Sequence, residues 1–150
     1  KMSDNYYFTS ITQFVERIRK DYSDVNKAML YFEGSECFQN KFEKTCAKIV
    51  FIALSIKDKL TFITHKQILD MYDGQQLVIA FNQNNKRKIE EKDKDCMFNL
   101  TINFEPNNFN GNTYYNSSLR IVVNTKNIAK IRSQITVYEV IENDIPDDAF

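Results

Sequence analysis

The chain has 150 residues, with a hydrophobic fraction of 43% and a charged fraction of 27%, the make-up of a globular domain that can bury a core without staples. Lysine plus arginine number 20 against 20 for aspartate plus glutamate, which excludes a domain that holds nucleic acid through strong net positive charge. The longest apolar run, 49–54, is too short to span a membrane, and three cysteines, at positions 37, 46 and 96, lack paired spacing.

An odd number of dispersed cysteines predicts reduced thiols and an intracellular compartment, cytoplasmic or nuclear, with no membrane association. The expected organisation is one β-rich domain over 1–141 and an acidic C-terminal tail over 142–150.

Residues 9–22 predict the first helix. Ser10 and Gln13 have capping-box spacing, and Ile11, Phe14, Val15 and Ile18 recur at the helical period. One apolar stripe of this kind packs a helix against a sheet. A turn at 23–26 leads into a strand over 27–32, and Cys37, Phe38 and Phe42 read as a short helical turn. Residues 47–56 are apolar on both faces and predict one central strand covered on each side. A polar turn at 57–59 returns the chain as a hairpin arm over 60–65. Residues 65–72 group Ile68, Leu69 and Tyr72 as one short helix, with Gly74 placed to end it.

A further strand is expected over 76–81. Over 97–105, Phe98, Leu100, Ile102 and Phe104 alternate with polar residues, predicting one buried and one wet face. Strands over 119–125 and 134–141 complete the set. About seven strands joined by hairpins predict a mainly β (α+β) fold, an antiparallel barrel or sandwich with an N-terminal flanking helix. A barrel of the oligonucleotide-binding (OB) type is one such architecture.

Catalytic chemistry finds little footing. His65 is the single histidine, and no nucleophile elbow accompanies it, so a structural histidine is expected and no enzyme. Cys37, Cys46, Cys96 and His65 lack metal-ligand spacing, and free cysteine packs as a small hydrophobe. Gly34, Gly74 and Gly111 stand alone, so no phosphate cradle forms. No cofactor and no metal are expected.

Two segments carry binding chemistry. The 82–95 segment holds Lys86, Arg87 and Lys88, a cluster suited to tracking a phosphate backbone. The 106–118 segment, read as a loop, holds Phe109, Tyr114 and Tyr115 among asparagines. Rings beside cations are what sequence-tolerant binding of single strands requires, and Arg120 follows in the next strand. The plainer readings are a solvated hairpin tip and a lid folded over the core.

The ending Asp144-Ile145-Pro146-Asp147-Asp148-Ala149-Phe150 resembles the acidic tip of bacterial and phage single-stranded-DNA-binding proteins. In that family aspartates precede an Ile-Pro-Phe or Leu-Pro-Phe ending. The resemblance spans seven of the 150 residues. It departs from the family pattern: Ile145 and Pro146 precede Asp147 and Asp148, Ala149 intervenes before Phe150, and no long linker precedes the tip. It implies an oligonucleotide-binding body and a tip, here Asp147, Asp148 and Phe150, that docks replication or repair partners. The expected function is therefore a non-enzymatic domain for single-stranded nucleic acid with a partner-docking tail. The alternative is a β-rich protein-interaction module, such as an accessory subunit, inhibitor or immunity-type factor, whose aromatic residues anchor a protein partner.

Overall fold

The computed structural model describes residues 5–81 and 96–124. Among these the chain runs β1 (Asn5–Phe8), α1 (Ile11–Asp21), β2 (Val25–Glu33), a 3₁₀ turn (Gly34–Glu36), β3 (Cys37–Gln39), β4 (Thr45–Lys48), β5 (Phe51–Ile56) and β6 (Lys59–Ile63). It continues through α2 (His65–Met71), β7 (Gln76–Phe81), β8 (Cys96–Asn103), β9 (Asn107–Phe109), β10 (Asn112–Tyr114) and β11 (Ser117–Asn124).

Local chemistry accounts for most boundaries. At the start of α1 the Gln13 amide donates to Ser10 Oγ at 3.1 Å, and the Thr9 amide donates to Gln13 Oε1 at 2.8 Å. At α2 Thr64 and Gln67 form a full reciprocal capping box, satisfying amides that a helix start leaves without partners. α2 stops where Gly74 takes φ 77° and its amide donates to the Leu69 carbonyl at 2.6 Å. The β5–β6 hairpin turns on Lys57 and Asp58, both at positive φ (50° and 65°), as a tight type I′ turn requires.

The strands form a five-stranded antiparallel sheet in the order β11-β8-β2-β5-β6 and a four-stranded sheet in the order β1-β7-β4-β3. β1 pairs with β7 in parallel, and the other pairings of both sheets are antiparallel. The fold is mainly β with flanking helices, as expected, and both strand orders are open: among the described residues there is no closed barrel.

One core cluster joins the two sheets and both helices. α1 contributes Phe14, Val15 and Ile18; β2 contributes Ala28, Leu30 and Phe32; β8 contributes Phe98, Leu100 and Ile102; β7 contributes Leu77, Ile79 and Phe81. Phe14 and Ile18 are fully buried, each worth about 1.5–3 kcal/mol over an exposed position. The N-terminal helix therefore flanks the core through the stripe its sequence predicts.

Three expectations are corrected. The single strand predicted over 47–56 is two, β4 and β5, in different sheets. The chain crosses at Ile49, whose amide donates to Leu77 in one sheet, and Val50, whose amide donates to Tyr31 in the other (2.9 and 2.8 Å). The helical turn predicted around Cys37, Phe38 and Phe42 is instead the 3₁₀ turn followed by β3 and a tip. In that tip Asn40 Oδ1 accepts from the Phe42 and Lys44 amides, a side-chain turn that spares the backbone a helical bond. The expected wet face of β8 is wet only at its Asn103 end. Met97 and Asn99 are buried in it, in a second cluster on the outer face formed by Met29, Tyr31, Phe51, Ala53 and Met97. Tyr31 and Phe51 stack there at 4.4 Å.

Candidate nucleic-acid interface

The 106–118 segment is not a loop. It folds as the far end of the β8–β11 hairpin, a two-stranded ribbon of β9 and β10 closed by Asn110 and Gly111 at φ 52° and 78°. Asn-Gly is the dipeptide that a type I′ turn favours, and it is the sequence signal that marks this hairpin.

Cross-strand register places the rings. Phe109 pairs with Asn112, and Tyr114 pairs with Asn107. Directly paired residues and their i±2 neighbours share a face, so Phe109 and Tyr114 project from the same side of the ribbon, diagonally opposed. On the other side Thr113 Oγ1 donates to Asn108 Oδ1 at 2.9 Å. Phe109 is 67% exposed and Tyr114 48%. A diagonal pair of this kind stands roughly 7–8 Å apart.

The ribbon springs from the β8–β11 end of the five-stranded sheet and forms a sheet of its own. Tyr115, in the link between β10 and β11, and Leu119 pack against the main core, whereas Tyr114, Ser118 and Arg120 are exposed. Arg120 is exposed and pairs in register with Asn99, itself opposite Tyr31. Lys27, exposed on β2 and in register with Asn103, joins the same face. Sequence reasoning missed Lys27, because its side is set by the alternation with Met29 and Tyr31 and matters only once β2 is known to be central. The arrangement is a pair of exposed rings on the ribbon and exposed cations on the outer face of the adjoining sheet, chemistry that stacks on flat ligands and neutralises nearby anions.

Tyr115 differs from its neighbour. It is half-buried, and its hydroxyl accepts from Arg19 Nη1 at 3.2 Å. Arg19 Nη2 donates to the Phe104 carbonyl, and the guanidinium carbon lies 5.6 Å from the centroids of both the Phe104 and the Tyr115 rings. Lys86, Arg87 and Lys88, and the tail residues Asp147, Asp148 and Phe150, lie outside the described residues, as does the strand expected over 134–141.

Other reactive groups have structural partners. His65 Nε2 lies 3.2 Å from Gln76 Oε1, and Gln76 Nε2 donates to the Ile49 carbonyl at 2.8 Å, which ties α2 to the crossing between sheets. Cys37 and Cys46 are free thiols. Burial pushes Cys37 up to about 12, with Cys46 and Glu36 adding to the shift, the opposite of an activated nucleophile. Arg17 donates from Nη1 to the Tyr6 hydroxyl (3.0 Å) and from Nε to Asp21 (2.9 Å), and it lies 5.2 Å from the Tyr72 ring. That cluster pins α1 to β1 and to the end of α2. Among the described residues no three His, Cys, Asp or Glu side chains gather as a metal would require, and no helix is long and apolar enough to cross a membrane.

No family model, no curated protein and no solved structure matches this chain.

Proposed function

We propose that this protein binds single-stranded nucleic acid, without catalysing a reaction on it, along the outward face of the β9–β10 ribbon and the adjoining sheet. The observation that carries the proposal is the placement of Phe109 and Tyr114, both exposed, on one face of the ribbon. Stacking of bases on such rings is worth ~1–3 kcal/mol each and tolerates any sequence. Arg120 and Lys27, exposed on the outer face of the adjoining five-stranded sheet, supply cations for the backbone. Net charge is zero, so the electrostatic part of the affinity comes from local placement alone.

Lys86, Arg87 and Lys88 enter the proposal from sequence as further phosphate contacts. Asp147, Asp148 and Phe150 enter through their resemblance to the partner-docking tip of single-stranded-DNA-binding proteins. The finer proposal, a body of OB type, is supported by the antiparallel five-stranded sheet with its aromatic ribbon. A reducing intracellular compartment is supported by the free thiols of Cys37 and Cys46.

A second reading, a protein-interaction module, draws on a separate feature. Phe42, at the tip between β3 and β4, is 71% exposed with Lys41 lying 5.2 Å from its ring centroid, and an exposed ring of that kind anchors protein interfaces.

Fluorescence anisotropy with a labelled oligo-thymidine at low and high salt tests the proposal. Binding that weakens as salt rises is expected. No binding at low salt, or binding indifferent to salt, refutes it. A single stoichiometric protein captured by the immobilised chain, with its loss on Phe42→Ala, would favour the second reading.

A further inference from the structure

The ribbon needs an anchor. Among the described residues β9 and β10 pair only with each other, and an isolated two-stranded hairpin is marginally stable in water. At its root the ladder breaks. Asn103 still donates to the Asn116 carbonyl at 2.9 Å, and the next register pair is Asn107 with Tyr114. Phe104, Glu105 and Pro106 therefore stand against Tyr115 alone, a bulge that bends the arm. Pro106 offers no amide to repair the ladder.

Arg19 bridges this gap from outside the sheet. It sits in the last turn of α1, a helix held to the core by Phe14, Val15 and Ile18. One of its nitrogens reaches the Phe104 carbonyl on the incoming strand and another the Tyr115 hydroxyl on the outgoing strand. Its guanidinium packs against both rings. Both acceptors are neutral, and Arg19 forms no salt bridge among the described residues. A planar fork suits a two-point clip of this type, and an ammonium group does not.

We infer that Arg19 is a positioning residue: it clips the two strands of the ribbon root to α1 and so sets the direction in which Phe109 and Tyr114 project. The consequence for ligand binding rests on the nucleic-acid reading above; the clip itself does not. Arg19 acts from the inward side, with Tyr115, while Tyr114 faces outward. It touches no phosphate in this role.

The test compares Arg19→Ala, Arg19→Lys and Tyr115→Phe in the full chain by amide hydrogen exchange and by oligo-thymidine binding across a salt series. In Arg19→Ala, amides of 107–114 should exchange about tenfold faster or more, while those of 28–32 and 98–102 keep their rates. Arg19→Lys should behave nearly as Arg19→Ala. Tyr115→Phe, which removes one acceptor and preserves the ring, should accelerate the same amides by a smaller factor and decides the matter if Arg19→Ala does not fold. Affinity for the oligonucleotide should fall in all three with the slope of log K on log salt unchanged. Unchanged exchange at 107–114, acceleration spread evenly over the core, or a slope flattened by about 0.7, the signature of one lost phosphate contact on a single strand, would each overturn the inference. If the wild type binds no oligonucleotide, the functional proposal fails while the exchange pattern still decides the clip.

Discussion

Tyr114 and Tyr115 are neighbours in the chain and opposites in the fold. The Tyr115 hydroxyl is held by Arg19 at 3.2 Å and its ring packs against the core, while the Tyr114 ring stands 48% exposed. Arg19 and the core hold one ring, and the other is offered to solvent.

Truncating the offered rings should therefore separate binding from stability. Phe109→Ala and Tyr114→Ala are each expected to weaken oligo-thymidine binding by roughly 5- to 150-fold, the equivalent of ~1–3 kcal/mol of stacking. Thermal unfolding should stay within about 0.5 kcal/mol of wild type, because exposed positions contribute little to the folded state. Anisotropy titration beside thermal melts measures both.

Cations on the adjoining sheet face should show themselves in salt dependence. Lys27→Ala and Arg120→Ala are each expected to flatten the plot of log K against log salt by about 0.7, one phosphate contact apiece on a single strand. A loss of affinity at parallel slope would place those side chains away from the backbone path.

Alkali should destabilise the protein in a defined window. Burial raises Cys37 from 9.0 to about 12, with Cys46 and Glu36 adding to it. Burial likewise raises Tyr72 from 10.0 to about 12, against an opposing pull from Arg17. Both groups hold their protons more tightly folded than unfolded. The stability tied to each is whole below its unfolded value and is lost as pH climbs through the folded one. Unfolding free energy from denaturant titrations should thus fall between pH 9 and about 12. Tyr72→Phe should make that decline shallower, and at neutral pH iodoacetamide should modify Cys37 more slowly than it modifies the thiol of a small unfolded peptide.

Asn99 offers a test of buried polarity. It is fully buried; Oδ1 accepts from Thr101 Oγ1 at 2.6 Å, and Nδ2 has no acceptor among the described residues. Thr101→Val should cost about 1–3 kcal/mol, since it strips the remaining partner from the amide. Adding Asn99→Leu should recover most of that loss, because an apolar pair of similar shape leaves nothing unsatisfied. Denaturant melts of the two single variants and the double variant would measure the coupling.

Features set by neighbours within a few residues were legible in the chain. Ser10 and Gln13 announce α1, Gly74 announces its stop after α2, and the alternation of Phe98, Leu100 and Ile102 announces the inner face of β8. Caps, turns and periodicity are local physics, and the residues that decide them are adjacent. The exposed rings of Phe109 and Tyr114 were legible as candidates by their polar surroundings, though not as a ribbon, because few flanking hydrophobic residues alternate around Asn110 and Gly111.

The remaining features depend on partners far away in sequence. No proline or glycine marks the crossing at Ile49 and Val50; it exists because Leu77 and Tyr31 claim successive amides for different sheets. Nor does composition say that Tyr115 turns inward, since that follows from Arg19, 96 residues earlier. A β-rich domain, its first helix and its candidate rings could be read from the order of residues. Long-range pairing alone decided which rings face out together, since a side chain's face has meaning only once a sheet has an inside.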